Sequence, residues 1–264
     1  MLNSEARQPV KVYGIIAAGG SSERFKSGAE PEQAEPSKIT SKLAGRLVIE
    51  WSLAAFAASA QVDGYIVVAN PQDIRQLQAL LRTAEHPKLI DIISGGETRQ
   101  ESVFNAISYL SGIVDEPEKA LILIHDGARP LLSLADLEKV ISQLSKERCG
   151  AGLCTPVYDT IRRYSKTDPE RTRVIPREEC FLMQTPQGAP LKILAVAAKA
   201  ARHEAKLYTD DLALLEAIGY PVRLVQGSRD NLKITTYADL KLAEFYLRSK
   251  LNEESDYYRL LGRA

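Results

Sequence analysis

Cysteine and histidine are scarce in this chain. Its 264 residues hold three cysteines, Cys149, Cys154 and Cys180, with no Cys-x-x-Cys pair. That argues against a disulfide framework or a structural zinc site and suits a reducing compartment, the cytoplasm. The three histidines, His86, His125 and His203, stand apart from one another. Net charge is missing as well: 34 basic residues balance 34 acidic ones. Charge therefore recommends no polyanion partner, nucleic acid included, and an anion site must come from local placement of basic residues. No segment approaches the roughly 18 unbroken apolar residues of a membrane span. Residues 1–9 are polar and lack the apolar core of a secretory signal, and there is no internal repeat. These absences lead to the expectation of a soluble, cytoplasmic protein.

What is present is ordinary for a globular chain, 45% hydrophobic and 26% charged, and long enough for one large α/β domain or two small ones. Apolar, β-branched runs at residues 12–17, 64–69, 88–93, 120–124 and 152–156 alternate with amphipathic stretches at 48–60, 72–83, 99–110 and 133–145. Strands alternating with helices of this length predict βαβ units, a mostly parallel sheet and helices on both faces. The alternation fails after residue 157. A strand over 159–164, a polar turn over 165–173 and an extended run at 174–175 read as a protruding β-arm of about residues 157–178. Such an arm is marginal alone and suggests a dimer. Helices are then expected near 190–203, 210–218 and 237–251, with strands near 222–225 and 232–234. A single domain over residues 10–251 and a polar tail over 252–264 complete the reading. The polar run 25–37 is expected to be an exposed mobile loop.

Three segments that follow strands can carry chemistry. In Ala17-Ala18-Gly19-Gly20-Ser21-Ser22-Glu23-Arg24, small residues leave backbone N–H groups open to a phosphate, and Arg24 adds a charged fork. The plain alternative is a glycine-rich strand–helix turn. In His125-Asp126-Gly127-Ala128-Arg129-Pro130, an aspartate at a strand's carboxyl edge can hold hydrated Mg2+ against a triphosphate, with Arg129 beside it. Ser133 is a better cap than Asp126 for the helix that follows. Gly95-Gly96-Glu97-Thr98-Arg99-Gln100-Glu101-Ser102 offers close backbone approach to a base or ribose, and equally reads as a capping box on Thr98 and Glu101. Farther on, Asp230 is expected near the metal and Lys233, inside a short strand, on a substrate phosphate; an edge lysine in solvent is the alternative. Thr209-Asp210-Asp211 opens a helix. Thr160, Arg162, Arg163 and Arg177 lie on or beside the arm. Trp51 is assigned to the core, and His125 to structure rather than general-base work.

Taken together and in order, these motifs resemble the 2-C-methyl-D-erythritol 4-phosphate cytidylyltransferase family. They continue through Pro156-Val157-Tyr158-Asp159-Thr160, Arg177, Thr185-Pro186-Gln187, Thr209-Asp210 and Asp230-Asn231-Leu232-Lys233-Ile234-Thr235, so that the resemblance runs from about Val12 to Phe245. It implies a Rossmann-like nucleotidyltransferase sheet and a homodimer whose arms complete each other's sites. By position, Ala17, Ala18, Gly19, Gly96, Ser102 and Gly127 would line a CTP site. Arg24 and a nearby lysine would hold the triphosphate, with Asp126 and Arg129 beside Mg2+ and the phosphates. Thr160 and Arg177 of one subunit, with Thr185, Thr209 and Lys233 of the other, would bind the polyol phosphate. The chain departs from the family pattern in one place: Pro-Lys-Gln is missing, and residues 25–37 separate Arg24 from Lys38. Lys38 is the candidate catalytic lysine, with Lys26 and Lys42 as alternatives. A ribitol 5-phosphate cytidylyltransferase and an inactive nucleotide-binding relative share most of these motifs.

Overall fold

The structure is a computed structural model that describes residues 10–20, 23–26, 37–81, 86–165, 167–168 and 171–252. In chain order, β1 (Lys11–Ala17) leads through the short α1 (Glu23–Lys26) to a hairpin of β2 (Lys42–Leu43) and β3 (Arg46–Leu47). Then come α2 (Val48–Ala58), β4 (Gly64–Ala69), α3 (Ile74–Leu80), β5 (Leu89–Ser94), α4 (Arg99–Ile113), β6 (Ala120–Asp126), α5 (Leu134–Lys146) and β7 (Gly150–Pro156). The arm is β8 (Ile161–Tyr164) and β9 (Thr172–Ile175), and the chain returns through β10 (Phe181–Pro190), α6 (Leu191–His203), α7 (Asp211–Ala217), β11 (Val222–Gln226) and α8 (Tyr237–Asn252).

Among the described residues, seven strands form one sheet in the order β11-β7-β10-β6-β1-β4-β5. All neighbours are parallel except β10, which runs antiparallel to both β6 and β7. The expected mostly parallel α/β sheet is thus present. Its central strands are apolar throughout because both faces are covered: Ile15 and Ile16 of β1 are both fully buried, on opposite faces. Ile16, Val67 and Leu123 pack with Ile49, Leu77 and Val140 on the side of α2, α3 and α5. Ile15, Val68 and Ile124 pack with Val103, Leu194 and Leu214 on the side of α4, α6 and α7. A third cluster joins Phe25, Leu43 and Trp51 to Ile234 and the α8 residues Leu240 and Leu247. Chain order runs outward from β1 to β4 and β5 and then crosses back to β6, so strand order reverses beside β1, and the crevice beyond the strand ends opens there.

Several expectations are corrected. Residues 232–234 form no strand; they are irregular chain held by Ile234 N–H on the Ala128 carbonyl, 2.8 Å away. Phe25 is buried rather than exposed, its ring tilted against Tyr237 with centroids 6.0 Å apart; residues 27–36 and the tail 253–264 lie outside the described residues. The amphipathic stretch expected from residue 72 becomes helical only at Ile74. The strand β10 carries no plain strand pattern, because Pro186, Gly188 and Pro190 interrupt its apolar residues. Its glycine is required: a Cβ at Gly188 would stand 2.2 Å from the Ile122 carbonyl oxygen of the next strand. The β2–β3 hairpin turns on Ala44 and Gly45 with φ of 46° and 90°, the two positive values of a type I′ turn. Alanine there conceals the turn signal.

Candidate active site

The turn after β1 is sewn to both neighbouring strands. Ala18 N–H donates to Val68 O and Gly127 N–H to Ala17 O, each at 2.8 Å. Above these strand ends opens a cleft of about 900 Å³. Ala17, Ala18, Gly19, Gly96 and Ser102 line it, and so do Arg24, Lys38, Asp126 and Lys233. A Cβ on Gly95 would come within 2.6 Å of Ser102 Oγ, so backbone and hydroxyl meet closely. Ser102 Oγ accepts from Gly96 N–H at 3.1 Å.

Asp126, the last residue of β6, is the electrostatic centre of the cleft floor. Its Oδ1 accepts from Arg99 Nε at 3.1 Å; its Oδ2 meets Lys233 Nζ at 2.9 Å and Arg129 Nε at 3.4 Å. Burial opposes ionisation of this carboxyl, but Arg99, Lys233 and Arg129 outweigh it and hold its pKa well below the usual carboxylate range. Behind it lies a neutral network. His125 Nε2 faces the Arg129 carbonyl at 3.2 Å, an atom that only accepts. Burial, partly offset by Asp126, pushes the His125 pKa down to about 4, so the ring is neutral and its proton sits on Nε2. Nδ1 is then an acceptor, and the Thr185 hydroxyl, 3.0 Å away, donates to it while accepting from Asp126 N–H at 3.0 Å. His125 is structural, as expected.

Lys38 projects into the cleft from a turn held to α2: Ser41 Oγ donates to Ser37 O at 3.0 Å and Ile49 N–H to Ile39 O at 3.0 Å. Burial lowers the Lys38 pKa, and Lys233 and Arg24 lower it further against the pull of Asp126. Of the two alternatives, Lys42 is exposed on β2 and outside the cleft lining, and the side chain of Lys26 lies outside the described residues.

A family model described as 2-C-methyl-D-erythritol 4-phosphate cytidylyltransferase matches residues 12–249. The chain belongs to that family. The enzyme of that name from Halalkalibacterium halodurans is 35% identical over 236 residues, covering 89% of this chain and 96% of the relative. The one from Synechocystis sp. is 36% identical, covering 88% and 95%. The crystal structure of the Thermus thermophilus cytidylyltransferase superposes with a TM-score of 0.68 at 32% identity, covering 91% of this chain and all of the other.

Other expected site residues fall away from the cleft. Gly127 and Arg129 sit behind its wall, with Arg129 Nη1 on the Asn231 carbonyl at 2.8 Å. Thr185 is buried, its one proton given to His125, which leaves it supporting Asp126 rather than facing the cleft. Thr160 and Arg177 are exposed at the arm, Arg177 donating to the Tyr158 carbonyl. Thr209 is exposed beside a second cavity of about 410 Å³. Asp230 is turned from the cleft and pairs with Lys250 at 2.9 Å. The Thr98 and Ser133 caps form as expected, although Glu101 accepts from Glu97 N–H rather than from Thr98. Sequence reasoning assigned no role to Arg99, which binds Asp126 and, through both terminal nitrogens, Asp211 at 3.1 and 2.8 Å. The signal was the arginine one position after a helix cap at a strand edge; its partners are 27 and 112 residues away.

Proposed function

We propose that the protein transfers the cytidylyl group of CTP to 2-C-methyl-D-erythritol 4-phosphate, releasing pyrophosphate, in non-mevalonate isoprenoid precursor synthesis. The observation that carries this reading is the meeting of Arg24, Lys38 and Lys233 over a small-residue turn, with Asp126 as their counter-charge. A substrate phosphate oxygen attacks the α-phosphorus of CTP; the new P–O bond forms as the bond to the β-phosphate breaks. The monoester's second pKa is about 6, so the nucleophile is already largely dianionic at neutral pH and needs no general base. The barrier is the repulsion of two anions brought into line, and clustered cations lower it. Arg24 and Lys38 hold the triphosphate, the open turn of Ala17, Ala18 and Gly19 accepts its backbone contacts, and Lys233 takes the phosphate of the second substrate.

Mg2+ belongs in this reading. Among the described residues no group of three or more His, Cys, Asp or Glu could hold a metal, so a protein-only cage is absent from them. One hard carboxylate beside a phosphate site suits Mg2+, which keeps water and phosphate oxygens as its other ligands. Asp126 fits that role through Oδ2, the oxygen now shared with Lys233. When bound, the ion neutralises and aligns the phosphates.

The second subunit enters through the arm. Exposed Tyr158, Tyr164, Val174 and Leu182 on and below β8–β9 support a homodimer in which Thr160 and Arg177 reach toward the partner's cleft. Buried, unpaired Cys149 and Cys154 support a reducing, cytoplasmic setting; no helix among the described residues is long and apolar enough to cross a membrane. The deciding assay is pyrophosphate release from CTP and Mg2+ with methylerythritol phosphate and ribitol 5-phosphate side by side. Release with the first alone is expected. Release only with ribitol phosphate would reassign the substrate, and CTP binding without release would mark an inactive relative.

A further inference from the structure

Asp126 carries three cations that are not equivalent. Lys233 is 40% exposed at the end of a flexible stem, whereas Arg129 is only 11% exposed and tied to Asn231. Among the described residues Arg99 is the cation on Oδ1, and its far end is held by Asp211. Asp211, which takes both terminal nitrogens of Arg99, is 5% exposed at the first turn of α7. That turn is fixed from below: Gln187 Oε1 accepts the N–H groups of Asp211 and Leu212 at 2.9 and 3.1 Å, and Asp210 caps Ala213 N–H at 2.9 Å. A strut of one guanidinium therefore runs from a helix terminus to a single oxygen of the cleft carboxylate.

We propose that Arg99 is a positioning residue of the transfer reaction: by holding Oδ1 of Asp126 from the Asp211 anchor, it aims Oδ2 into the cleft and keeps the carboxylate neutralised when Lys233 leaves it for a substrate phosphate. This rests on the cytidylyl-transfer reading above. Without Arg99, the one of these three direct contacts that Asp126 would keep on Lys233's departure is the 3.4 Å contact to Arg129, and the carboxylate would compete with the substrate for that lysine. The carboxylate would also be free to turn about its Cβ–Cγ bond. A lysine cannot replace the fork, because a single ammonium cannot meet both carboxylates with the same planar geometry.

The test uses the full-length protein with CTP, Mg2+ and methylerythritol phosphate. Arg99→Ala is expected to lower kcat by about 100-fold, the scale of a misplaced reacting group, with the KM for CTP nearly unchanged. Guanidinium chloride at non-denaturing concentration should restore part of that kcat, and urea, its neutral analogue of like shape, should not. Arg99→Lys, which keeps the charge and guards against misfolding of the alanine variant, should also be slow. Asp211→Asn, remote from the phosphates, should slow turnover in the same direction by less. Wild-type kcat in folded Arg99→Ala or Arg99→Lys, or a loss that guanidinium does not relieve, overturns the proposal. Absence of turnover by the unsubstituted protein would instead overturn the underlying reading.

Discussion

The cleft floor and the β8–β9 arm both present arginines, but they hold them differently. At the floor, Arg99 meets the buried carboxylates of Asp126 and Asp211, while Arg129, behind the wall, meets Asp126 and the Asn231 carbonyl; a network reaching through Thr185, His125 and Asp211 sets their positions. In the arm, Arg163 stands directly across from Arg173. Like charges facing one another across a two-stranded ribbon are destabilising, and the ribbon is not part of the main sheet. Charge in the floor is pre-organised by buried partners; charge in the arm is exposed, with Arg163 facing a like charge across the ribbon. Preorganised groups need no rearrangement as the transition state forms; strand ends tied into a buried network supply such groups, and a two-stranded ribbon outside the main sheet does not.

The largest expected effect falls on the floor. Lys38→Ala should lower kcat by roughly 100- to 1,000-fold, the cost of deleting one preorganised charge at a transition state. Its thermal midpoint should hold or rise, since burial and Lys233 both disfavour the charge that is removed. Steady-state kinetics beside thermal denaturation would separate the two, and an unaltered kcat removes Lys38 from the mechanism.

Next comes pH. His125 is neutral when folded, with a pKa near 4, against about 6.5 unfolded. The unfolded state therefore binds the extra proton between these values, and stability falls as pH drops through that window, by about 3 kcal/mol at most. Asp126, also depressed, weakens the fold only at still lower pH, below the ordinary carboxylate value. Denaturant midpoints from pH 7 to pH 4 should show this slope, and His125→Gln should flatten it; an unchanged slope would assign the effect elsewhere.

Removing residues 161–175 and closing the gap with a short glycine linker should leave the monomer's melting temperature within a few degrees while shifting its sedimentation toward the monomer. A variant that remains dimeric would erase the contrast between the regions. The smallest effect is local. Arg163→Glu turns a repulsive cross-strand pair into an attractive one and should stabilise the ribbon by about 0.5 kcal/mol, read as slower amide exchange in β8 and β9.

Elements differ in how plainly their residues announce them. The strands β1, β4 and β6 are visible because a strand buried on both faces must be apolar at every position, and the turn at Ala17–Gly19 because small residues there have little other use. The strand β10 is hidden by two prolines and by a glycine whose need arises only from the neighbouring Ile122 carbonyl. Lys38 could not be told from Lys26 or Lys42 by spacing, since its place depends on how the segment 37–41 is tied to α2. Arg99 lay in a motif already marked, yet its partners come from β6 and α7.

The sequence by itself determined the strand–helix alternation, the glycine turn at the sheet edge, the aspartate at the end of β6 and the protruding arm. Each depends on local periodicity or on residues adjacent in the chain. Only the tertiary structure decided that Asp126 gathers Arg99, Arg129 and Lys233, that Asp230 turns to Lys250 instead, and that Thr185 supports the floor. Those outcomes are Coulombic and hydrogen-bonded contacts between residues far apart in sequence, and such contacts exist only once the sheet has brought its strand ends together.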